Sequence, residues 1–189
     1  MTPIRNCHQS GTTAHRRTLA GAIASGLLAL FSASGLPAQT SPPAAAPCST
    51  AEYRQFDFWI GQWDVFRPDG KPAGRSSITQ TLDDCVILED YHGATGYHGQ
   101  SFNIYDSTRQ VWHQTWVDVT GGLLVLEGKF SNGQMVLEGR KAEGTASVRE
   151  RIVWKPLDGG GVEQIWDESR DEGKTWTVLF DGIYKSWAP

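Results

Sequence analysis

The chain has 189 residues, of which 39% are hydrophobic and 20% are charged, with 17 basic and 21 acidic side chains. Three basic residues, Arg5, Arg16 and Arg17, precede position 39 and all acidic residues follow position 50, so the chain beyond residue 38 carries a net charge of minus 7. An acidic surface repels nucleic acid and anionic membranes, so we expect neither as a partner.

The first 38 residues have the pattern of a signal peptide. Arg16 and Arg17 precede an uncharged run from Leu19 to Phe31, and small residues follow up to Ala38. A membrane-spanning helix needs roughly 20 apolar residues, more than this run offers. The pattern predicts export to the periplasm or the exterior and no integral membrane segment after processing. The paired arginines leave two routes open, general secretory and twin-arginine.

Residues 39–50 form a tether rich in proline and alanine, which cannot bury enough apolar surface to fold. Ser49 and Thr50 then offer hydroxyl groups ahead of the acidic Glu52, a combination typical of a helix start. We predict a short helix from Ala51 to Phe56 or Phe58. The remaining domain, residues 51–189, is long enough for one hydrophobic core.

Of the three cysteines, Cys7 belongs to the leader, which leaves Cys48 and Cys85 in an exported domain. We predict a disulfide between them, because disulfides persist in oxidising compartments. The alternative is two separate buried thiols. The closed loop would span 37 residues, and its closure would stabilise the fold by about 3 to 4 kcal/mol in the chain-entropy model.

Short runs rich in Val, Ile, Thr, Trp and Tyr, separated by turn residues, predict strands from residue 62 onward. Asn132 and Gly133 give the strongest hairpin signal, since both tolerate the positive φ of a type I′ turn. Closing the sheet removes its exposed edges, so we predict an all-β, up-and-down antiparallel barrel of about ten strands. The predicted strands are residues 62–67, 75–82, 85–92, 100–105, 111–118, 123–130, 134–141, 147–155, 162–169 and 175–186.

The segment Ser169–Trp176 matches the Asp-box pattern of sialidase propellers, but a single copy implies no sialidase. It predicts a local turn in which Asp171 accepts backbone hydrogen bonds, Gly173 is left-handed and Trp176 packs beneath.

Side chains alternate across a barrel wall, so residues of one parity face the lumen. One face of the fifth strand carries Trp112, Gln114, Trp116 and Asp118, and one face of the ninth carries Val162, Gln164, Trp166 and Glu168. If these faces point inward, the lumen binds a small, partly apolar molecule. The alternative is a filled core in a structural or interaction module. The predicted ligand-binding residues are Trp63, Trp112, Gln114, Trp116, Gln164, Trp166 and Glu168.

The sequence offers no obvious catalytic set, metal site or cofactor motif, and we expect no cofactor. His92 and His98 flank a glycine-rich loop, where they could ligate a metal or haem; the simpler interpretation is that both are solvated. The neighbours Glu89 and Asp90 point to opposite faces of a strand, so they cannot act together in one site. An enzyme could still use Asp118 or Glu168 as a general acid or base.

Four stretches together resemble a family of uncharacterised exported bacterial proteins, and the likeness covers nearly all of the chain beyond the leader. These are Phe56–Val65, Asn103–Asp106, Trp112–Asp118 and Ser169–Trp176. The family is similar to the one named domain of unknown function 1579, which implies a calycin-like fold but no activity. The Gly61–Trp63 segment also resembles, more loosely, the first strand of lipocalins and of nitrobindin-like haem barrels. The latter ligate haem through a histidine near the C-terminus, whereas this chain has none after His113.

Overall fold

The computed structural model describes residues 46–187, which form one closed antiparallel barrel of ten strands. Each strand pairs with the next, and β1 pairs with β10 from Trp63 opposite Ser186 to Phe66 opposite Ile183. The predicted all-β, up-and-down barrel is confirmed. The predicted signal peptide, residues 1–38, and tether residues 39–45 lie outside the described residues. The strands are β1 Gly61–Phe66, β2 Pro72–Thr81, β3 Val86–Gly93, β4 His98–Asp106, β5 Val111–Asp118, β6 Leu123–Ser131, β7 Gln134–Glu143, β8 Ala146–Pro156, β9 Val162–Ser169 and β10 Thr177–Ser186.

Tight turns set the order of the strands, as the sequence predicts. Between β6 and β7, Asn132 has a φ of 52° and Gly133 a φ of 77°. Both central residues of this two-residue connection are therefore left-handed, as a type I′ turn requires. The chain reverses here without an intervening element, so neighbours in sequence become neighbours in the sheet.

The predicted short helix is present as two 3₁₀ helices, Ala51–Arg54 and Asp57–Trp59. Thr50 precedes the first, but its hydroxyl donates to the Glu52 carboxylate at 2.6 Å instead of capping the backbone. Among residues 46–187, neither helix approaches the length or apolar character needed to cross a membrane.

The segment before β1 closes one end of the barrel with aromatic rings. The Phe56 ring stacks on Trp59, with centroids 4.9 Å apart, and meets the edges of Trp112 at 5.6 Å and Trp154 at 5.1 Å. All four side chains are buried. We call this end, which also carries the connections 82–85, 107–110, 132–133 and 157–161, the closed end. The open end carries the connections 67–71, 94–97, 119–122, 144–145 and 170–176.

A disulfide joins Cys48 to Cys85, with their Cα atoms 5.1 Å apart, as predicted. It fastens the segment before the first helix to the connection between β2 and β3, at the closed end. The Arg54 guanidinium adds a second attachment there, donating to the Asp84 carbonyl at 2.5 Å. A disulfide fits a protein of an oxidising, non-cytoplasmic compartment.

The Asp-box segment forms the local turn that its sequence predicts. Asp171 accepts from the Thr175 backbone N–H at 2.8 Å and from the Thr175 hydroxyl at 2.6 Å. Gly173 has a φ of 88°, and the Trp176 indole donates to its carbonyl at 3.1 Å. The Arg151 guanidinium lies over the Trp176 ring at 3.9 Å. These contacts shape the turn between β9 and β10 on the outside of the barrel.

Candidate functional site

A cavity of about 180 Å³ lies inside the barrel, on the side of the open end. Half of its lining residues are aromatic, and a quarter are aliphatic. Leu179 is 43% exposed and marks the mouth, whereas Tyr184 is fully buried and lies toward the closed end. The aromatic lining residues are Tyr91, Tyr97, Trp116, Trp166, Phe180 and Tyr184, and the aliphatic ones are Leu124, Ile152 and Leu179.

Three polar side chains interrupt this apolar lining: Glu89 from β3, Gln114 from β5 and Gln164 from β9. All three are buried. The Tyr184 hydroxyl donates to Gln164 Oε1 at 2.6 Å and holds that amide against the floor of the cavity. An apolar cavity with a few fixed polar groups is the usual form of a small-molecule site.

Gln114, Trp116, Gln164 and Trp166, which the sequence predicts to line a ligand cavity, are brought together here. Their strand positions follow the predicted parity, since β5 and β9 each turn one set of alternate residues into the lumen.

Two predicted residues lie elsewhere, in the aromatic packing of the closed end. The Trp63 indole donates to the Trp59 carbonyl at 2.9 Å, and the Trp112 indole donates to Gln55 Oε1 at 3.2 Å. Both are nearly fully buried, and neither lines the cavity. Both indole N–H groups are therefore bonded to the segment that precedes β1.

Glu168 lies at the open end, beside the cavity but outside its lining. Its carboxylate is 3.5 Å from the Lys141 ammonium and accepts from Arg170 Nε at 2.9 Å. Lys141 also forms an ion pair with the buried Glu150, whose other oxygen accepts from the Trp166 indole at 2.6 Å. The ammonium between two carboxylates is therefore neutralised within this cluster.

Glu89 is a lining residue that the sequence did not predict on its own, because it stands there beside Asp90 and the two cannot act as a pair. The Glu89 side chain is inside the barrel and only 3% exposed, while Asp90 faces outward. Ser101 and Ser76 donate to the two Glu89 oxygens at 2.9 Å and 3.2 Å. The shared parity of Ile87, Glu89 and Tyr91 on β3 was the available signal.

Burial raises the pKa of Glu89 from its ordinary value of 4.5 to about 7, against the opposing effect of the two serine hydrogen bonds. The negative charge of Asp90 behind the strand raises it a little further. No basic side chain forms an ion pair with Glu89 among the residues the structure describes. The carboxyl group is thus able to change protonation state near neutral pH.

A chain of hydrogen bonds fixes the orientation of the amides around Glu89. Asn103 Nδ2 donates to the Ile87 carbonyl at 3.1 Å and to Ser101 Oγ at 2.9 Å, so the Ser101 proton is directed at Glu89. Gln114 Nε2 in turn donates to Asn103 Oδ1 at 2.9 Å. The opposite atom, Gln114 Oε1, is buried and has no hydrogen-bond partner in the described part of the chain.

Asp118, the other carboxylate predicted as a possible general acid or base, has a different environment. Its oxygens accept from the Thr120 hydroxyl at 2.5 Å, the Thr120 and Gly122 backbone N–H groups, and the Tyr97 hydroxyl at 3.0 Å. These donors, the Thr120 hydroxyl foremost, hold the pKa of Asp118 far below its usual range. Asp118 stays ionised and braces Tyr97 and the 119–122 connection.

The three histidines within residues 46–187 lie outside the lining of the cavity. His92 and His98 stack on each other with centroids 5.4 Å apart, and His92 lies 3.4 Å from Asp90. His113 faces outward and contacts Glu127 and Thr115 at 3.0 and 2.9 Å. Within residues 46–187, no group of three or more His, Cys, Asp or Glu side chains is arranged to hold a metal ion.

The fold and the cavity together define a closed antiparallel β-barrel whose partly open lumen is lined by aromatic and aliphatic side chains around three polar ones. Comparison of the sequence with protein-family models finds no match, and comparison with curated proteins finds none either. The resemblance to the uncharacterised exported family stays a prediction from its four sequence stretches.

Proposed function

We propose that this protein binds a small, partly apolar molecule in the barrel lumen, between Trp116 and Trp166, with Gln114, Gln164 and Glu89 orienting it. The observation that carries the proposal is the cavity of about 180 Å³ lined by aromatic rings around three buried polar groups. A cavity of about 150 Å³ holds one benzene molecule, so this lumen suits a ligand of about six to eight non-hydrogen atoms.

Two lumen variants test the proposal after a ligand has been found by native mass spectrometry or by screening. Trp116→Ala and Gln164→Ala should each weaken binding, because each removes a wall or a polar contact. Trp187→Ala and Gln100→Ala are matched controls, since both side chains are exposed outside the lumen. Unchanged affinity in both lumen variants would refute the proposed ligand site. It would favour the alternative that the protein is a structural or interaction module.

We also propose that the protein is exported by way of residues 1–38. The basic leader, the short apolar run and the small residues before Ala38 support it, and a disulfide suits the destination. Fractionation of a bacterial host that expresses the whole chain, with N-terminal sequencing of the product, tests export. A cytoplasmic protein that keeps Met1 would refute it. Changing Arg16 and Arg17 to Lys separates the two routes, because only twin-arginine export should fail.

The second candidate function is an enzyme that uses Glu89 as its general acid or base. The specific observation is the pKa of about 7, the range in which a carboxyl group can both take and give a proton at neutral pH. Asp118 is less suited, because its donors keep it ionised. Small compounds consumed by the protein but not by Glu89→Gln would support this function, and a pH–rate profile without a titration near 7 would argue against it.

A further inference from the structure

The indole N–H groups of the lumen are already bonded to the protein. Trp116 Nε1 donates to Asp118 at 3.4 Å, and Trp166 Nε1 donates to Glu150 at 2.6 Å. A ligand therefore meets the ring faces of these residues and not a free donor. The same acceptors hold both rings in place before any ligand arrives.

The phenol hydroxyls of the lumen are committed in the same way. Tyr97 donates to Asp118 at 3.0 Å, Tyr184 donates to Gln164 at 2.6 Å, and Tyr91 donates to a backbone carbonyl of β2 at 3.0 Å. The Gln164 oxygen accepts from Tyr184, so the uncommitted side-chain donors of the lining, within residues 46–187, are the Gln164 NH₂ group and the second N–H of Gln114 Nε2.

The lumen also offers hydrogen-bond acceptors that have room for further donors. Among the described side chains, Glu89 accepts from the hydroxyls of Ser76 and Ser101 alone, and an ionised carboxylate has room for further donors. Gln114 Oε1 is buried without a partner in the described residues. An unpaired buried acceptor is costly, so a site of this kind favours a ligand that donates hydrogen bonds.

The aromatic rings around Glu89 also favour a positively charged ligand. Tyr97 and Trp116 are stacked with centroids 6.4 Å apart, and Tyr91 lies 6.4 Å from Trp116 and 6.3 Å from Phe180. Aromatic faces attract cations through the ring quadrupole. The chain beyond the leader also carries a net charge of minus 7, which attracts cations to the mouth.

We propose that the ligand is a small organic cation, a protonated amine on an apolar group about the size of a benzene ring, with its ammonium against Glu89. This proposal rests on the proposed binding function and specifies its ligand class. The ammonium supplies the donors and the charge that the lumen lacks, and the apolar part packs among the rings. Lys141, the basic side chain on the same inner surface, is already paired with Glu150 and Glu168.

Three probes of nearly equal size test the charge preference: benzylamine, benzyl alcohol and benzoate, titrated into the purified protein by calorimetry at pH 8. We expect benzylamine to bind at least about tenfold more tightly than benzyl alcohol, because it gains one opposite-charge contact. We expect no detectable binding of benzoate. Benzyl alcohol binding as tightly as benzylamine, or benzoate binding more tightly, would overturn the ligand class and leave the binding function standing. Failure of all three probes would refute the binding function as well.

Glu89→Gln tests the role assigned to the carboxylate, and Asp90→Asn is its matched control on the outer face of the same strand. Benzylamine should bind Glu89→Gln at least about thirtyfold more weakly, since a buried charge partner is lost. The affinity of Glu89→Gln for benzyl alcohol should change by less than about threefold. Asp90→Asn should leave the affinity for both probes unchanged. Equal losses for both probes in Glu89→Gln would indicate damage to the cavity and contradict the proposal.

The unmodified protein gives an independent test if Glu89→Gln does not fold. Benzylamine should bind about a hundredfold more weakly at pH 5 than at pH 8, because the Glu89 proton must first be displaced. Tyr91 and Tyr184, which interact with Glu89, keep their protons over this range because burial raises their pKa values. Benzyl alcohol should show no such loss. A flat pH dependence for benzylamine would overturn the proposal.

Discussion

Replacing the buried Glu89 by glutamine should change how the stability of the protein depends on pH. The substitution keeps the shape of the side chain and both serine neighbours but removes the ionisable proton. In the folded protein, burial raises the pKa of Glu89 from 4.5 to about 7. The unfolded chain exposes the carboxyl group, so its pKa returns to the ordinary value.

The direction in which pH changes the stability depends on which state, folded or unfolded, holds the Glu89 proton. Between pH 4.5 and 7 the folded state keeps the Glu89 proton and the unfolded state has released it. Raising the pH through this window therefore destabilises the folded state by about 1.4 kcal/mol per unit, or about 3 kcal/mol in total. Stability from this group is complete below pH 4.5 and lost above pH 7. Glu89→Gln has no proton to lose and should be spared this decline.

Urea unfolding of the two proteins at several values between pH 4 and pH 8.5 measures the effect. The difference in unfolding free energy should shift by about 3 kcal/mol in favour of Glu89→Gln as the pH rises. Comparing the two proteins cancels the titration of all other groups. Asp90→Asn, which changes the exposed neighbour, should give no comparable shift. Parallel curves for Glu89→Gln and the unmodified protein would refute the argument that burial controls this carboxyl group.

Three further changes test other parts of the structure. Removing the disulfide by replacing Cys48 and Cys85 with alanine should cost about 4 kcal/mol in urea unfolding, the value for a closed loop of 37 residues; an unchanged midpoint would contradict its role. Asp118→Asn should lower the melting temperature at pH 7, with a gap that narrows as the pH falls below 4, because the pKa of Asp118 is depressed; a constant gap would exclude the carboxylate as the cause. Gly99→Ala should cost about 1 to 3 kcal/mol and weaken probe binding, since the added Cβ would overlap the Trp116 indole; full stability with unchanged binding would show that the ring can move freely.

The fold could be predicted because its determinants are local in sequence. Alternating side chains mark the strands, and turn residues such as Asn132 and Gly133 require the chain to reverse within two residues. Once every strand pairs with the next, the two outer strands are the only unpaired edges, and pairing β1 with β10 removes them. The disulfide followed from compartment and count, since only Cys48 and Cys85 lie beyond the leader.

The alternation of side chains along the strands predicts which residues face the lumen, and no more of the site than that. Parity places Gln114 and Trp116, or Gln164 and Trp166, on one face, but it does not say how far along the barrel the cavity extends. That limit is set by Phe56 and Trp59, which fill the closed end and enclose Trp112. Their position depends on tertiary packing. The aromatic run before the first strand was the available signal that one end would be filled.

The role of Glu89 could not be predicted for a related reason: its hydrogen-bond donors come from other strands. Ser101 lies directly opposite Glu89 in the pairing of β3 with β4, and Ser76 reaches it from β2. The pairing register, which the sequence pattern leaves open, decides whether a carboxylate on an inward face meets a hydroxyl, a basic residue or nothing. Here it meets two hydroxyls, which satisfy some of its lone pairs without neutralising its charge.

The contrast between Glu89 and Asp118 shows which carboxylate can respond to a ligand. Asp118 is bound by donors from its own connection and by Tyr97, so its charge is permanent and its effect on the lumen is to hold the wall. Glu89 has fewer donors and deeper burial, so it is neutral or charged according to what lies beside it. A cation that enters the lumen stabilises the charged form and pairs with it, whereas an anion meets an uncompensated acceptor. The burial that makes the ionised carboxylate costly without a cationic partner is thus the physical basis of the selectivity for positive charge that we propose.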